Sequence, residues 1–576
     1  MPAPGASGAD ASRAALAQAD QAQTNAKQAD TKQADTKQTD SKQAGNKAAG
    51  DGKDKAAAAA RPKGPVQHFD IDDFAVQGAE TLPQLQIEEA IYPFLGPDRT
   101  ADDVEKARAA LEKAYHDKGF QTVSVSVPQQ DVVHTRVVVL KVAELKIGRL
   151  RVKNSRYFDI DKIKDKAKSL QEGTVPNFND VTKDIVALNQ WPDRRVTPAL
   201  RAGVTPGTVD VDLNVDDTAP VHGSVEVNNR QSPETTASRV AATVHYDNLW
   251  QRGDSASFSY QVAPENPKDA QVFSGSYLAR LDNVDWLSLL FYGVDSNSNV
   301  ATVGGTNIVG PGQIVGGRGV ITLPSRDNLF HTLSVGLDYK HFDQTVSLGS
   351  DSFASPVTYY PIVANYSATF KAEKSTTQLS ASLTYNMRPV SSPADEFDAK
   401  RFDASPSFTH FNVDLSHTQE LPEGLQFYGR VQAQLADGPL VSSEQMSVGG
   451  MDTVRGYLES ETLGDNGVAG TLELRGPDIG SLLQSKMKDE TGLGNPRFTT
   501  FNEWRFFGFV DAGTAITLQP LPDQQAEFDL WSYGIGTKFK VFNGINGVVD
   551  LAMPMISQAY TQARDPRVSF RIWGEF

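Results

Sequence analysis

The last ten residues, Arg567-Val568-Ser569-Phe570-Arg571-Ile572-Trp573-Gly574-Glu575-Phe576, read as one strand with two unlike faces. Val568, Phe570, Ile572, Gly574 and Phe576 fall on one side, and Arg567, Ser569, Arg571, Trp573 and Glu575 on the other. A period of two with one apolar and one polar face suits a strand between lipid and a wet lumen. It also suits an ordinary half-buried strand, so the decision rests on recurrence. The pattern recurs over roughly the last 355 residues.

Val240, Ala242, Val244 and Tyr246 alternate with Ala241, Thr243, His245 and Asp247. Ala256, Phe258, Tyr260 and Val262 alternate with Ser255, Ser257, Ser259 and Gln261, and Leu333, Val335, Leu337 and Tyr339 with Ser334, Gly336, Asp338 and Lys340. Leu425, Phe427, Val431 and Leu435 oppose Gln426, Arg430, Gln432 and Gln434. Soluble strands average about 5–6 residues. These run to about ten or more, enough to cross a bilayer at a tilt. A spanning sheet must close, because each unpaired backbone group in hydrocarbon costs several kcal/mol. From Val221 onward about sixteen such segments follow, and a barrel of that size encloses a channel.

Composition narrows the rest. The chain has 576 residues, no cysteine and a formal charge of −16. Disulfides and thiolate chemistry are therefore out of reach, and nucleic acid is an unfavourable partner. No run of about twenty apolar residues could form a transmembrane helix, a test that barrel strands evade. Met1-Pro2-Ala3-Pro4-Gly5 lacks the charged and apolar parts of a secretory signal, so a signal removed ahead of this numbering is expected.

Three parts follow. Residues 1–65 are polar and repetitive, with Lys27-Gln28-Ala29-Asp30-Thr31 echoed at Lys32–Thr36 and Lys37–Ser41. Such a segment is either a disordered tether or a polar helix that becomes ordered in a cavity. Residues 66–144 and 145–219 read as two small α/β modules, each ordered strand, helix, helix, strand, strand. In the first, Phe69–Val76 is the expected strand, and Leu82–Leu95 is a helix interrupted near Pro93. Thr100 caps a helix carrying Val104, Ala107, Leu111 and Ala114 on one face. Gly119 ends it before strands Phe120–Val127 and Val132–Val142. The second module repeats the order, with strands Leu145–Val152, Arg194–Leu200 and Val209–Val215 and helices Ile160–Leu170 and Asn179–Gln190. Neither module offers a phosphate loop, a metal cluster or a nucleophile–base pair. His68, His116 and His134 read as incidental surface residues. The reading is of a non-enzyme without cofactor or metal, its modules built to bind chains.

The most specific constellation comes late. Ser447-Val448-Gly449-Gly450-Met451-Asp452-Thr453-Val454-Arg455-Gly456-Tyr457 lies in a long insert, about 437–467, between strands 424–436 and 468–476. The next strand carries Phe507-Gly508-Phe509-Val510-Asp511. Its alternation sets Trp504, Phe506, Gly508 and Val510 outward and Arg505, Phe507, Phe509 and Asp511 inward. Glu473 and Arg475 face inward by the same logic.

These residues resemble the two-partner secretion transporters (TpsB, haemolysin secretion/activation type) of the POTRA-barrel outer-membrane assembly-factor superfamily. The resemblance covers about 66–576. It rests on the two modules, Gly119-Phe120 through Val127-Pro128-Gln129-Gln130-Asp131, the V-R-G-Y at Val454-Arg455-Gly456-Tyr457, the G-F-V-D at 508–511, and terminal Phe576. It implies a 16-stranded antiparallel transmembrane β-barrel over 220–576 in a Gram-negative outer membrane, preceded by two periplasmic POTRA-like domains. The insert would fold back into the lumen, with Arg455 meeting Asp511 beside Phe509 and Glu473 on the wall. That pair would either brace the barrel or latch a loop that takes part in transport.

The modules would receive an unfolded TpsA-type partner, β-helical once outside, by β-augmentation. The expected strands are those of Phe120, Thr122, Val123, Val125 and Val127, and of Val196. The partner's folding outside would drive export, and the resemblance implies a pore-plugging helix as the sharper reading of residues 1–65. Lipids and the barrel-assembly machinery, addressed by Phe576 as assembly signal, complete the implied partners. An insertion factor of the same superfamily is the alternative, disfavoured by only two modules; a passive porin would need neither the modules nor the insert.

Overall fold

The computed structural model describes residues 67–576 apart from 190, 192, 282, 283, 285, 298, 299, 304, 305, 310, 327, 349, 350, 481–500 and 543. The tether-or-plug reading of residues 1–65 lies outside the described residues. The chain divides into two compact units that part between Ala219 and Pro220.

In the first unit, strands β1 (Phe69–Ile71), β2 (Asp73–Gln77), β3 (Gly96–Arg99), β4 (Ser124–Ser126) and β5 (Val137–Ala143) combine with helices α1 (Gln84–Ile91) and α2 (Ala101–Asp117). The sheet order is β2-β5-β4, with β2 parallel to β5. The α2 start is a capping box: Thr100 and Asp103 bond each other's backbone and side chain. Val104, Ala107, Leu111 and Tyr115 are its buried residues. Tyr115, one position beyond the expected Ala114, completes the stripe because its hydroxyl reaches Glu144 at 2.8 Å. Pro93 turns the end of α1 into a short 3-10 turn, Tyr92–Phe94.

Two strands expected here are shorter than their sequence suggests. Of Phe120–Val127 only Ser124–Ser126 is strand. The Phe120 N–H closes back on the Tyr115 carbonyl at 3.0 Å and the Val123 N–H on Phe120 at 3.3 Å, which makes a turn. Likewise Val132–Thr135 coils into a one-turn helix, α3, because Asp131 caps the His134 N–H. Arg136, at φ 53°, breaks it before β5 begins. β-branched residues favour a strand, and a local cap overrides them.

The second module holds β6 (Lys146–Lys153), α4 (Ile160–Lys166), α5 (Phe178–Leu188), β7 (Arg194–Ala202) and β8 (Thr208–Asp217). Its order is β6-β8-β7, the same arrangement as the first module, with β6 parallel to β8. Ile147, Ile163, Leu188, Val211 and Leu213 form its buried core. The modules meet where the Phe178 N–H bonds the Gly119 carbonyl at 2.9 Å. Gly119 must be glycine twice over: its φ is 98°, and a Cβ would lie 2.4 Å from Asn177 Oδ1.

The second unit is a closed antiparallel barrel. Its strands are β9 (Val221–Asn228), β10 (Arg239–Leu249), β11 (Asp254–Val262), β12 (Gln271–Arg280), β13 (Leu287–Ser296), β14 (Gly312–Thr322), β15 (Leu329–Leu348), β16 (Asp351–Tyr359, continuing as Pro361–Lys371), β17 (Ser375–Asn386), β18 (Phe408–Glu420), β19 (Gln426–Ala436), β20 (Asn466–Arg475), β21 (Phe501–Ile516), β22 (Glu527–Val541), β23 (Ile545–Pro554) and β24 (Arg567–Glu575). The two pieces of β16 count as one strand because they share a register against β15: Tyr359 faces Lys340, and Ile362 faces Leu337. Sixteen strands result, β9 to β24, as the alternation implies.

The outward face is apolar as expected. Val335, Leu337, Val431, Leu435, Phe506, Val510, Val568 and Ile572 are each at least 40% exposed, whereas Asp511, Ser532 and Ser334 facing the interior are fully buried. The barrel closes where β24 lies against β9, Glu575 opposite Ser224. There Gly223 and Phe576 exchange two backbone bonds of 3.1 and 3.0 Å. Between Asn386 and Phe408 a helix, α6 (Ala394–Lys400), buries Phe397 in a cluster with Phe342, Tyr359, Phe408 and Leu440.

Candidate functional site

The insert between β19 and β20 enters the barrel as a small hairpin, Met446–Val448 against Thr462–Gly464. Three glycines with positive φ shape its tip: Gly449 at 113°, Gly450 at 101° and Gly456 at 91°. Gly456 also runs close to the wall, since a Cβ there would lie 3.2 Å from Ala552 Cβ. Val448, Val454 and Tyr457 are buried against Ala515 and Leu530.

At the tip Arg455 meets the wall. Its Nε donates to Asp511 Oδ2 at 2.7 Å and its Nη2 to Oδ1 at 2.8 Å, a bidentate pair. The Arg455 backbone N–H adds a third bond to Oδ2 at 3.1 Å. Its Nη1 reaches Glu473 Oε1 at 2.7 Å, while Arg475 holds the other oxygen of Glu473 at 2.7 Å. The guanidinium lies 3.5 Å from the centre of the Phe509 ring, a cation–π stack. Room for that stack comes from β22. Gly534 stands opposite Phe509 and Gly536 opposite Phe507. A Cβ on Gly534 would come within 2.5 Å of the Phe509 ring, and one on Gly536 within 2.3 Å of Phe507. Val454, Arg455, Gly456, Tyr457, Asp511, Phe509 and Glu473 are thus brought together at one place.

Sequence reasoning missed the other anchors. Tyr457 Oη donates to the Ile556 carbonyl at 2.8 Å. Arg230, just past β9, binds Glu459 at 3.0 Å and also Asp452. Glu461 accepts from Thr561 Oγ1 at 2.8 Å and the Tyr560 N–H at 3.0 Å. At the insert's root Glu444 collects Lys340 at 2.6 Å and His410 at 3.1 Å. Asp465 accepts from the Leu440 N–H at 2.9 Å and the Leu518 N–H at 2.7 Å. Each insert carboxylate pairs with a wall or loop group far away in sequence, so only the closed barrel shows the match. The one signal available was the density of acids, Glu444, Asp452, Glu459, Glu461 and Asp465, in an insert meant for a polar lumen.

The expected receiving strands look different from their sequence. Val123, Val125 and Val196 are buried in the module cores, and Phe120 packs against the core of the first module. Val127 is exposed, and Thr122 lies in the turn before β4. At Val125 and Val196 the outward backbone is already occupied. The Val125 N–H donates to Glu112 Oε2 at 3.2 Å, and its carbonyl accepts from Arg108 Nη1 at 3.2 Å. The Val196 N–H donates to Asn189 Oδ1 at 2.6 Å, and its carbonyl accepts from Asn189 Nδ2 at 3.0 Å. Gln130 does the same to Val139, at 2.6 and 2.9 Å. A primary amide offers one donor and one acceptor in the geometry of a peptide unit, so each acts as a one-residue strand. Beyond Asn189, Pro198 supplies no N–H, and the outward side of β7 next offers Leu200.

Below the first module's sheet, Glu144 accepts from the Glu80 N–H at 2.9 Å, the Thr81 N–H at 3.0 Å and Tyr115 Oη at 2.8 Å. Burial alone would push its carboxyl up; the bonds from Thr81, Tyr115 and Glu80 outweigh burial and hold it below the usual range. Burial, then Glu144, pushes the Tyr115 hydroxyl up.

A sixteen-stranded barrel with an inward loop follows two α/β modules, an architecture shared with outer-membrane barrels whose POTRA domains are periplasmic. The family described as haemolysin secretion/activation protein ShlB/FhaC/HecB matches residues 352–493, and the POTRA domain of ShlB type matches 69–144. Over these two stretches the chain is similar to the two-partner secretion transporters that this family describes. It is similar to the heme/hemopexin transporter protein HuxB of Haemophilus influenzae, 22% identical over 385 residues. That stretch is 65% of this chain and 66% of HuxB, just under two thirds of its length. In fold it is similar to CdiB from Escherichia coli, with a TM-score of 0.58, 17% identity and coverage of 91% of this chain and 93% of that one. BamA from Haemophilus ducreyi lacking POTRA domains 1–3 shares the fold at a TM-score of 0.53 and 12% identity, covering 89% of this chain and 100% of that one.

Proposed function

We propose that the chain is an outer-membrane pore that exports an unfolded, β-helical partner protein, received by the POTRA modules and threaded past the insert. The observation that carries this reading is the latched insert. It occupies the lumen through the Arg455–Asp511–Glu473 cluster, with further ion pairs at Arg230 and Glu444. Polar and ionic anchors suit a part that leaves and returns, since their partners can be re-solvated in a wet lumen at lower cost than an apolar core. Withdrawal of Arg455 leaves Asp511 and Glu473 on the wall with Arg475 alone. Basic segments of a passing chain can then take its place.

Capture would start at the open end of β7, from Leu200 onward, and extend as the partner's backbone displaces the Asn189 amide. Lipids surround the apolar belt, and Phe576 at the closing seam is the group the barrel-assembly machinery would read. Export needs no nucleotide if folding outside pulls the partner through.

Cysteine cross-linking tests this, since the chain has no cysteine of its own. A Cβ at Gly513 lies 3.2 Å from Val454 Cγ2, so Val454→Cys with Gly513→Cys can close a disulfide between tip and wall. Secretion of the partner should stop on oxidation and return on reduction. Unchanged secretion in the oxidised form sinks the moving-loop reading.

A further inference from the structure

On β9 and β10, away from the latch, three side chains converge that the sequence keeps apart. His222 and His245 are direct cross-strand partners. Their rings stack with centroids 4.9 Å apart and planes 25° apart. Asp247, two residues on from His245, shares its face of the strand. His245 Nε2 lies 3.2 Å and His222 Nε2 3.9 Å from the same oxygen, Asp247 Oδ2. The other oxygen, Oδ1, accepts from Ser255 Oγ, which fixes the carboxylate's rotation. All three side chains are 11–18% exposed, so they are reachable from the lumen yet held in place.

We propose that His222, His245 and Asp247 form a binding site for one d-block divalent cation of the zinc class on the lumen wall of the barrel. The donor set is two imidazole nitrogens and one carboxylate oxygen, which suits zinc, cobalt, nickel or copper and is wrong for calcium or magnesium. The spacing fits. An ion about 2.0–2.1 Å from each donor in a tetrahedron sets donors about 3.3 Å apart, and the observed separations to Oδ2 bracket that value. All candidate ligand atoms lie within 4.8 Å of one another.

Charged groups flank the site. Arg280 lies within electrostatic reach of both Asp247 and Asp254. Asp254 is engaged with Tyr277 Oη at 2.6 Å and the Arg280 N–H at 2.8 Å. Arg252 Nη2 donates to the Arg280 carbonyl at 3.3 Å, so two guanidiniums stand near these two carboxylates and the anionic ligand of the site is Asp247 itself. Three protein ligands leave a fourth position open to water or to a side chain of a passing polypeptide, as in sites that exchange ligands. The ion would also tie β9 to β10 at the root of the closing seam, beside the Asp247 N–H bond to the Pro220 carbonyl.

The test uses the full chain in detergent, free of any affinity tag and washed with chelator. Cobalt(II) chloride should give the intense ligand-field bands of four-coordinate N/O ligation, with one ion per chain, and zinc should displace it. His222→Ala and His245→Ala together should weaken binding at least about tenfold, while His134→Ala on an exposed module surface leaves it unchanged. Heat-modifiable migration confirms that the variant barrel is closed. Failure of the double variant to fold still leaves the wild-type cobalt spectrum decisive. No saturable binding at micromolar ion, an octahedral spectrum only, or the same stoichiometry in the folded double variant overturns the proposal.

Discussion

Asn189 lies on the backbone of Val196 as a neighbouring strand would, giving one bond of 3.0 Å and taking one of 2.6 Å. The edge of the second module is therefore covered at Val196 by a side chain. Asn189→Ala exposes one backbone donor and one acceptor to water. A loss of about 1–2 kcal/mol is expected for the two bonds, read as faster hydrogen exchange at Val196. If the amide is a placeholder for the partner, the same variant should bind an extended partner peptide more tightly. Weaker peptide binding in a folded variant would mean that the amide itself is part of the receptor.

The latch gives a graded series. Arg455→Ala leaves Asp511 without its guanidinium and Glu473 with Arg475 only, a cost of about 3–5 kcal/mol where burial is complete and less in a wet lumen. Ion conductance in planar bilayers should rise as the insert loosens, and Asp511→Asn should raise it less because the amide still accepts one bond. Arg455→Lys should behave nearer to alanine, since an ammonium cannot make the bidentate contact. Conductance in Arg455→Ala equal to wild type would show that the other anchors alone hold the insert.

How much of this was visible in the chain itself depends on the range of the interaction. The faces of Val568–Phe576 and of Phe506–Asp511 follow from a period of two, a local property of strands, so inward Phe507, Phe509 and Asp511 could be named without a structure. The Val132–Thr135 helix could not, because a single Asp131 cap outweighs four residues of strand preference. Glu112 with Arg108, Gln130 and Asn189 were equally hidden: each acts on backbone that only tertiary packing brings near. His222 and His245 stand 23 residues apart, and only the β9–β10 register pairs them.

Acid should act on the first module through Glu144. Its folded carboxyl titrates below the ordinary range. Such a group contributes stability that is complete above the unfolded glutamate's pKa, about 4.3–4.5, and is lost as pH falls through the depressed folded value. Pulse proteolysis of the full protein across that window should show cleavage within residues 67–144 rising as pH drops. Glu144→Gln should be less stable at neutral pH and less sensitive to acid. A variant with an unchanged acid profile would assign the transition to other carboxylates.

The glycines opposite the aromatic pair provide the most local test of how the latch is built. Gly534 faces Phe509, whose ring carries the Arg455 guanidinium, and Gly536 faces Phe507. A methyl group at 534 would meet both the Phe509 ring at 2.5 Å and the Leu551 carbonyl oxygen at 2.2 Å. The ring can rotate away, but the carbonyl belongs to the wall and cannot. Gly534→Ala must therefore shift Phe509 and, with it, the surface on which Arg455 rests, although every charged partner remains. Conductance should rise toward that of Arg455→Ala, with the barrel still closed by heat-modifiable migration. Gly508→Ala is the control, on the outward face of β21, where the nearest atom to an added methyl is the Gly534 carbonyl oxygen at 3.9 Å. Equal conductance in the two alanine variants would show that the ring platform contributes nothing to holding the insert.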